Sequence, residues 1–310
     1  MRGFGSNLGV HDPAAILIMH KLCNEYGLDV DGVSSALAFA LECAEHGMID
    51  ATQPNGVRLM WGDHPSLIKL VEQIGKREGL GAILGEGVYR ASKKLGDETR
   101  QFALMTKRVG INEQGLRSHR AWALGIMTSS RGGGHLGGSP QTENRRISPE
   151  IGERLFGNPF AGDPQSYQGK GKLVAWTEGL KAVVDSMGLC YFAYGWYDLS
   201  IGSLEELSEL LYLITGYEID STELHRFGLK CHTLERYLTC SLGGFNRKDD
   251  TLPDRFFETP VSSGPYRGAR LDKEEVERAL DEYYAALSWN WSTGCPDDQT
   301  MQTYGLTDYI

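Results

Sequence analysis

Residues 12–29 read DPAAILIMHKLCNEYGLD, and this stretch predicts both a helix and the way in which it ends. Asp12 and Pro13 are typical of a helix start, because an aspartate caps free N–H groups and proline is tolerated at the first helical position. Apolar side chains recur at helical spacing over residues 15–23. Gly27 stands where a left-handed residue closes a helix. We therefore expect an amphipathic helix that leads into a tight turn.

The same pattern extends along most of the chain. Apolar side chains recur every three or four residues in segments 33–44, 67–74, 173–184, 204–214 and 276–287, and a further candidate helix runs from residue 81 to 95. Few segments alternate with a period of two. At 310 residues the chain has room for about two domains. We expect a mainly α protein of two helical lobes, with one domain at 1–105 and a second at 106–310.

The composition excludes several classes of protein. Acidic side chains number 41 and basic ones 31, and the resulting formal charge of −10 disfavours nucleic-acid binding, which needs clustered positive charge. No apolar run is long enough to predict a membrane span, and the N-terminus lacks the apolar core of a signal peptide. Glycine, at 39 residues, is nearly twice its usual share of about 7%. Glycine-rich loops that approach a ligand closely are one use of that excess.

The six cysteines show no paired framework, so the sequence predicts a cytoplasmic protein with reduced thiols. Free cysteine is commonly buried, which places four of them in the predicted core. These are Cys23, Cys43, Cys231 and Cys240. His225 and His232 lack carboxylates at ligand spacing and are weak metal candidates. The segment KDDTLPDR at 248–255 is predicted to be a surface turn.

A short motif occurs twice and follows a predicted helix each time. The first copy, at residues 24–29, reads NEYGLD, and the second, at 185–190, reads DSMGLC. In each copy a carboxylate, amide or thiol stands at both ends, and the helix-closing glycine leaves backbone N–H groups between them. Two such loops, one per lobe, would suit a polar heterocyclic ligand. The alternative is a pair of ordinary helix caps.

A run of glycines precedes His135 in the stretch SSRGGGHLGG, residues 129–138. This composition excludes a regular helix or strand there. A histidine after three glycines has little backbone bulk around it, and its usual pKa suits proton transfer near neutrality. The alternative is a surface loop with an incidental histidine. The stretch is no Walker loop, because no Gly-Lys-Ser/Thr follows.

Taken in order, these motifs resemble the C-terminal half of the aldehyde ferredoxin oxidoreductase family of tungsten-pterin enzymes. The resemblance covers nearly the whole chain and includes residues 24–29, 79–87, 128–136, 185–190, 249–255 and 283–289. It implies the helical domains of that fold, without its β-rich N-terminal domain.

The resemblance also implies a role for each loop. Two pterin-dithiolene ligands hold one tungsten (or molybdenum) atom in the family, one loop for each pterin. The first loop would contribute Asn24, Gly27, Leu28 and Asp29. The second would contribute Asp185, Gly188, Leu189 and Cys190.

Two further residues acquire roles from the resemblance. Cys190 corresponds to the fourth thiolate of a [4Fe-4S] cluster, whose other three ligands lie in an N-terminal Cys-x-x-Cys-x-x-x-Cys segment that this chain lacks. His135 matches a histidine close to the metal, a proton donor or acceptor. The chain departs from the family pattern at Asn24, where the usual residue is aspartate, and at Gly137, where relatives tend to carry a basic side chain.

The implied reaction is oxidation of an aldehyde to a carboxylate, with electrons passed through the cluster to ferredoxin or another carrier. We expect inactivity without the N-terminal half, either a separate subunit or lost sequence. Two alternatives remain open at this point. One is an active-subunit fragment of a benzoyl-coenzyme A reductase type, which takes an acyl thioester. The other is a non-catalytic truncated fragment or interaction module.

Overall fold

The computed structural model describes residues 2–111, 115–145, 147–194 and 203–309. The chain forms two compact units, Met1–Glu113 and Gln114–Ile310. The predicted boundary at 105/106 falls within the first of these. Helices dominate both units, which confirms the mainly α prediction. In the part of the chain described here, no helix is both long and apolar enough to cross a membrane.

Among its described residues, the first unit contains five α-helices and a hairpin of two short strands. The helices are α1 Pro13–Tyr26, α2 Val30–Glu45, α3 His64–Lys76, α4 Gly79–Leu84 and α5 Val88–Leu95, with 3-10 turns at Pro54–Gly56 and Asp97–Phe102. Strands β1 Met105–Thr106 and β2 Val109–Gly110 pair antiparallel, with Met105 opposite Gly110.

The ends of α1 follow from its sequence. The Asp12 carboxylate accepts a hydrogen bond from the Ala14 N–H (2.9 Å) and Pro13 occupies the first turn, as predicted. The buried side chains Ala15, Met19 and Cys23 lie four residues apart and form one stripe. Helix α2 is buried on nearly all sides, so it forms the centre of this unit's apolar core.

The predicted helix over 81–95 is instead two helices. Helix α4 ends at Leu84 and α5 starts at Val88, with residues 85–87 between them. Gly87 has φ +82°, a conformation that side chains disfavour, so the chain turns there rather than continuing.

The second unit contains nine α-helices among its described residues. They are α6 Arg120–Thr128, α7 Thr142–Arg145, α8 Pro149–Phe156, α9 Lys170–Ser186, α10 Leu204–Thr215, α11 Ser221–Ser241, α12 Arg255–Glu258, α13 Lys273–Leu287 and α14 Asp298–Thr303. Short 3-10 turns lie at His135–Gly137, Tyr191–Ala193, Arg247–Asp249 and Thr307–Tyr309.

Helix α9 is the hub of the second unit, because glycines bring α11 and α13 onto it. A Cβ at Gly171 would lie 2.4 Å from the backbone nitrogen of Tyr283 in α13. A Cβ at Gly228 of α11 would lie 2.1 Å from the carbonyl oxygen of Gly179. Both helices therefore pack against α9 with backbone almost in contact.

Helix α6 is absent from the segments that apolar spacing predicted to be helical. All nine of its residues are buried. Glu143 caps its first turn, accepting hydrogen bonds from the N–H groups of Ala121 (2.9 Å) and Trp122 (3.0 Å). The Lys170 ammonium lies 2.8 Å from the same carboxylate, and both side chains are buried. The helix start is thus stabilised by a buried ion pair.

Two expectations about cysteine are wrong. Cys240, predicted as a free core thiol, forms a disulfide with Cys295, so not all thiols are reduced. The partners are 55 residues apart in sequence, a pairing that spacing alone does not reveal. Cys23 and Cys43 are free and buried as predicted, whereas Cys231 is half-buried.

The segment 248–255 is not simply a surface turn. Asp250 is fully buried, and its two carboxylate oxygens accept bidentate hydrogen bonds from the Arg236 guanidinium (2.9 and 2.6 Å). Tyr284 donates its hydroxyl to the same carboxylate. Asp250 therefore ties this segment to α11 and α13 through a buried charge pair.

Candidate functional site

The first loop joins α1 to α2. Gly27 is left-handed (φ +66°), and its N–H donates to the Asn24 carbonyl (3.4 Å), which is a helix-closing turn. The Asp29 carboxylate accepts a hydrogen bond from an N–H in the first turn of α2 (2.7 Å) and so caps that helix. Asn24, Gly27 and Asp29 are exposed and Leu28 is half-buried.

The second loop follows α9 and repeats this turn. Gly188 is left-handed (φ +70°), its N–H donates to the Asp185 carbonyl (3.0 Å), and Leu189 is half-buried. The left-handed glycine predicted for both copies is confirmed. The Asp185 carboxylate forms an ion pair with Lys181, one turn earlier on α9. Cys190 is a free, exposed thiol.

The glycine run forms a turn that follows α6. Gly132 (φ +75°) and Gly133 (φ +69°) are left-handed, which explains the need for glycine there. The His135 ring stacks on the indole of Trp122, with centroids 4.9 Å apart and planes tilted by 23°. His135 is thus half-buried against a helix rather than free in a surface loop.

A cleft of about 370 Å³ lies between this turn, α9 and α11. Its lining residues include Arg131, Leu136, Glu178, Asp185, His232 and Glu235. The structure thus brings Asp185 of the second loop and the turn that carries His135 to a common cleft. Both signs of charge face the cavity, which suits a polar ligand.

A buried polar network forms the floor of the cleft. The Tyr283 hydroxyl donates to one Glu178 oxygen (2.6 Å), and His232 Nε2 lies 3.1 Å from the same oxygen. The Thr128 hydroxyl donates to the other oxygen (3.0 Å). Glu178, His232 and Tyr283 are each at most 3% exposed. The Glu178 carboxylate is tolerated in this buried position because both of its oxygens have polar partners.

The network shifts two pKa values. Burial alone would lower the pKa of His232, but the adjacent Glu178 carboxylate more than offsets it and raises that pKa to about 9. Burial, reinforced by the Glu178 charge, raises the pKa of Tyr283 well above its usual range. His232 is therefore an imidazolium and Tyr283 a neutral hydroxyl at pH 7. His232 Nε2 lies 2.9 Å from the Tyr283 hydroxyl, which donates to Glu178, and the imidazolium forms an ion pair with the same carboxylate.

Sequence patterns missed this network. Glu178 is separated from Tyr283 by 105 residues and from Thr128 by 50. One signal was present, since Glu178 stands among Leu173, Thr177 and Leu180 on the buried face of a predicted helix. A charged residue on such a face needs a partner.

Several buried polar atoms near the loops have no hydrogen-bond partner among the residues that the structure describes. They are the Trp122 indole N–H beside His135 and the hydroxyl oxygens of Ser129, Ser139 and Tyr191, the last next to Cys190. Buried polar groups are almost always satisfied, so these atoms fit a ligand rich in hydrogen-bonding groups. The glycine-rich turn is also closely packed, because a Cβ at Gly137 would lie 2.6 Å from the Ser129 hydroxyl. The residues present fit a pterin-type heterocycle.

The described residues hold no complete metal site. Nowhere among them do three His, Cys, Asp or Glu side chains lie close enough to hold an ion together. Cys23 is a poor thiolate, since burial and then the Asp29 charge raise its pKa to about 11. Cys190 differs because its thiol is free and exposed, so it can contribute one ligand to a centre completed from elsewhere.

Comparison with known proteins decides the family. The family described as aldehyde ferredoxin oxidoreductase, domains 2 & 3, matches residues 1–306. The chain belongs to the aldehyde ferredoxin oxidoreductase family. The tungsten-containing aldehyde ferredoxin oxidoreductase of Pyrococcus furiosus is 30% identical over 98% of this chain, and 47% of that protein is covered. The Pyrococcus horikoshii enzyme of the same name is 29% identical, over 99% of this chain and 48% of that protein.

Other relatives of this aldehyde ferredoxin oxidoreductase family member differ in their names. The WOR-like subunit of the aliphatic sulfonate oxidoreductase of P. furiosus is 28% identical over 97% of this chain and 44% of that protein. A solved structure, the active site complex BamBC of benzoyl coenzyme A reductase with 1,5-dienoyl-CoA, superposes with TM-score 0.70 at 19% identity, covering 95% of this chain and 46% of that one. The chain thus spans about half the length of its relatives.

Proposed function

We propose that this chain forms the C-terminal helical part of a tungsten- or molybdenum-pterin, iron–sulfur oxidoreductase. The reaction is oxidation of an aldehyde to a carboxylate, with electrons passed to ferredoxin or a similar carrier. One observation carries the proposal: Asp185 of the second loop and the turn bearing His135 border one cleft. The family match over residues 1–306 supports it.

The two loops would hold the cofactor. Residues 185–189 would bind one pterin through freed N–H groups and the Asp185 carboxylate, and residues 24–29 would bind the other. Cys190 would supply one thiolate of a [4Fe-4S] cluster, since thiolates are the usual ligands of such clusters. When bound, the metal centre supplies the redox chemistry, while the protein supplies binding, orientation and proton handling.

His135 is the proposed proton-transfer residue. The stack on Trp122 orients its ring. Histidine accepts and releases protons near neutral pH, as an aldehyde-to-carboxylate conversion with water requires. Glu178 and His232 would not transfer protons directly; their buried pair would fix α9 and α11, which wall the cleft.

The remaining components would come from outside this chain. Three more thiolates are needed for the cluster, and the described residues offer no such group around Cys190. Because the chain spans about half of its relatives, we infer that an N-terminal half supplies them, either as a separate subunit or as sequence that this chain lacks. The assembled enzyme would work in the cytoplasm.

A second candidate is reduction of the aromatic ring of an acyl thioester by a benzoyl-CoA reductase type of enzyme. The superposed BamBC structure holds 1,5-dienoyl-CoA on the same fold, which is the observation in its favour. The two reactions are separated by measuring the turnover of aldehydes and, independently, of aromatic acyl thioesters, with the complete native protein and a low-potential dye.

The decisive experiment is a metal analysis of the native protein purified without oxygen from its source. We expect roughly one tungsten or molybdenum and four irons per assembly, as one pterin site and one four-iron cluster require. A protein free of all three metals would overturn the enzyme proposal in favour of a non-catalytic fragment or interaction module.

A further inference from the structure

A second cleft in the Gln114–Ile310 unit is lined by arginines and shares no lining residue with the first. It measures about 590 Å³, and its walls include Arg120, Arg267, Arg270, Tyr266, Gln165 and Asp272. Three guanidinium groups against one carboxylate make it positive, in a chain whose formal charge is −10. No step of the proposed oxidation uses it.

The two outer arginines are carried by an ordered loop. The Gly268 N–H donates to the Val261 carbonyl (2.8 Å), and the Val261 N–H donates to the Ala269 carbonyl (2.9 Å), closing residues 261–269 into a hairpin-like turn. Arg267 lies on this turn and Arg270 directly follows it. Both are exposed, and no described carboxylate forms an ion pair with either. Their charges are therefore available to a ligand.

Arg120 points to the kind of ligand. Its side chain is only 8% exposed, yet no described carboxylate pairs with it. One terminal nitrogen donates to the Arg117 carbonyl (2.7 Å), and the guanidinium lies 4.8 Å from the Tyr167 ring centroid. The buried Nε has no hydrogen-bond partner within the described part of the chain. A buried cation without an opposite charge is costly, and an anion in the cleft would offset that cost.

Asp272 does not neutralise these arginines. Its carboxylate accepts a hydrogen bond from the Glu275 N–H (3.0 Å) and caps α13, while its own N–H donates to the Tyr167 hydroxyl (2.9 Å). The carboxylate is thus engaged with a helix start rather than with a guanidinium. The cleft keeps a surplus of positive charge.

We propose that this cleft binds an organic phosphate, a small molecule with a phosphate or diphosphate group. Guanidinium forks match phosphate oxygens in bidentate geometry, and three of them suit a group with more than one negative charge. The cleft is larger than a phosphate group alone, so Tyr266 and the hairpin-like turn have room to contact an organic portion. This inference stands apart from the proposed oxidation.

The test is calorimetric titration of the full native protein with pyrophosphate, ADP, adenosine and citrate. We expect ADP and pyrophosphate to bind and adenosine not to bind. Arg267→Gln and Arg270→Gln should each weaken binding about tenfold or more, because each removes a charge-assisted hydrogen bond to the phosphate. Arg278→Gln is the matched control, since this exposed α13 arginine lies outside the cleft and pairs with Glu274 and Glu275.

Each other outcome is informative. Equal weakening by Arg278→Gln would show non-specific charge attraction and overturn the site. Citrate binding as tightly as pyrophosphate would overturn the phosphate assignment, and pyrophosphate binding without ADP binding would overturn the organic portion. Metal content should be the same in all variants, so a failure here is distinguishable from a failure of the proposed oxidoreductase.

Discussion

The two copies of the repeated loop have the same backbone turn and very different surroundings. Both turns are mostly exposed, but around residues 24–29 the Asp29 carboxylate is occupied in capping α2. Around 185–190 the turn follows a helix whose inner face carries the buried Glu178, and it ends in a free thiol. The glycine turn itself is a common helix ending, so chemistry depends on what each turn is packed against.

This difference assigns separate tasks to the loops within the proposed enzyme. The first loop offers amide and backbone groups and a carboxylate already engaged in a helix cap, which suit binding alone. The second offers a carboxylate, a thiol and a neighbouring cleft, which suit binding combined with electron transfer. The same kind of substitution should therefore have unequal effects in the two loops.

The largest effect is expected at the final residue of each loop. In the complete native protein, Cys190→Ser should abolish the [4Fe-4S] cluster, because serine replaces a thiolate ligand. Asp29→Ser should retain all iron, since it alters a helix cap that serine also provides. Iron analysis and visible absorption measure both.

Cys43→Ser is the matched control, since that free thiol lies on α2, outside either loop. An unchanged iron content in Cys190→Ser would contradict the cluster assignment.

The next largest effect concerns the histidine beside the second loop. We expect His135→Phe to keep the stack on Trp122 but to lower turnover about 10²–10⁴-fold, the usual contribution of a proton-transfer residue. Metal content should be unchanged, which separates chemistry from assembly. Wild-type rates in this variant would remove His135 from the mechanism.

A third prediction sets the buried network against pH. The folded-state pKa of His232 is raised to about 9, against 6.5 for a free histidine. Its contribution to the free energy of unfolding is thus complete below about pH 6.5 and is lost as the pH rises through about 9. The stability difference between wild type and His232→Gln should shrink by about 2–3 kcal/mol between pH 6 and 10.

Chemical denaturation at several pH values measures this difference. His20→Gln, at an exposed position on α1, is the control for the loss of a histidine as such. A gap that stays constant across the range would show that the Glu178–His232 pair is not ionic.

The smallest effect is expected from the first loop. Asp29→Ala removes the side-chain hydrogen bond to α2 and should lower the free energy of unfolding by about 1 kcal/mol, as typical for a lost helix cap. Asp29→Asn keeps an acceptor and is the matched control. If Asp29→Ala removed the cluster iron as Cys190→Ser does, the two loops would not have separate tasks.

Local signals predicted much of the fold, and long-range contacts account for what they missed. Asp12 and Pro13 identified the start of α1, and Gly27 its end, because caps involve neighbours within a turn. Helix α6 was missed because its start is capped by Glu143, about twenty residues later in the chain. The pairing of Cys240 with Cys295 likewise links distant segments.

The candidate site likewise contains features that local sequence signals predicted and features that they missed. Both turns and their glycines were predicted from composition and position, and so was the exceptional place of Cys190. Glu178, His232 and Tyr283 were not, because they meet only when α9, α11 and α13 pack. The prediction of a surface turn at 248–255 failed for the same reason, since Asp250 finds Arg236 across the fold.

The buried Glu143–Lys170 pair has a consequence for how this site can evolve. Glu143 fixes the first turn of α6, Trp122 lies in that turn, and the His135 ring rests on Trp122. The orientation of the His135 imidazole therefore depends on the Glu143–Lys170 ion pair, and neither of these residues lines a cleft. A substitution at residue 143 or 170 would therefore change the orientation of His135, although every residue that faces the cleft stayed the same.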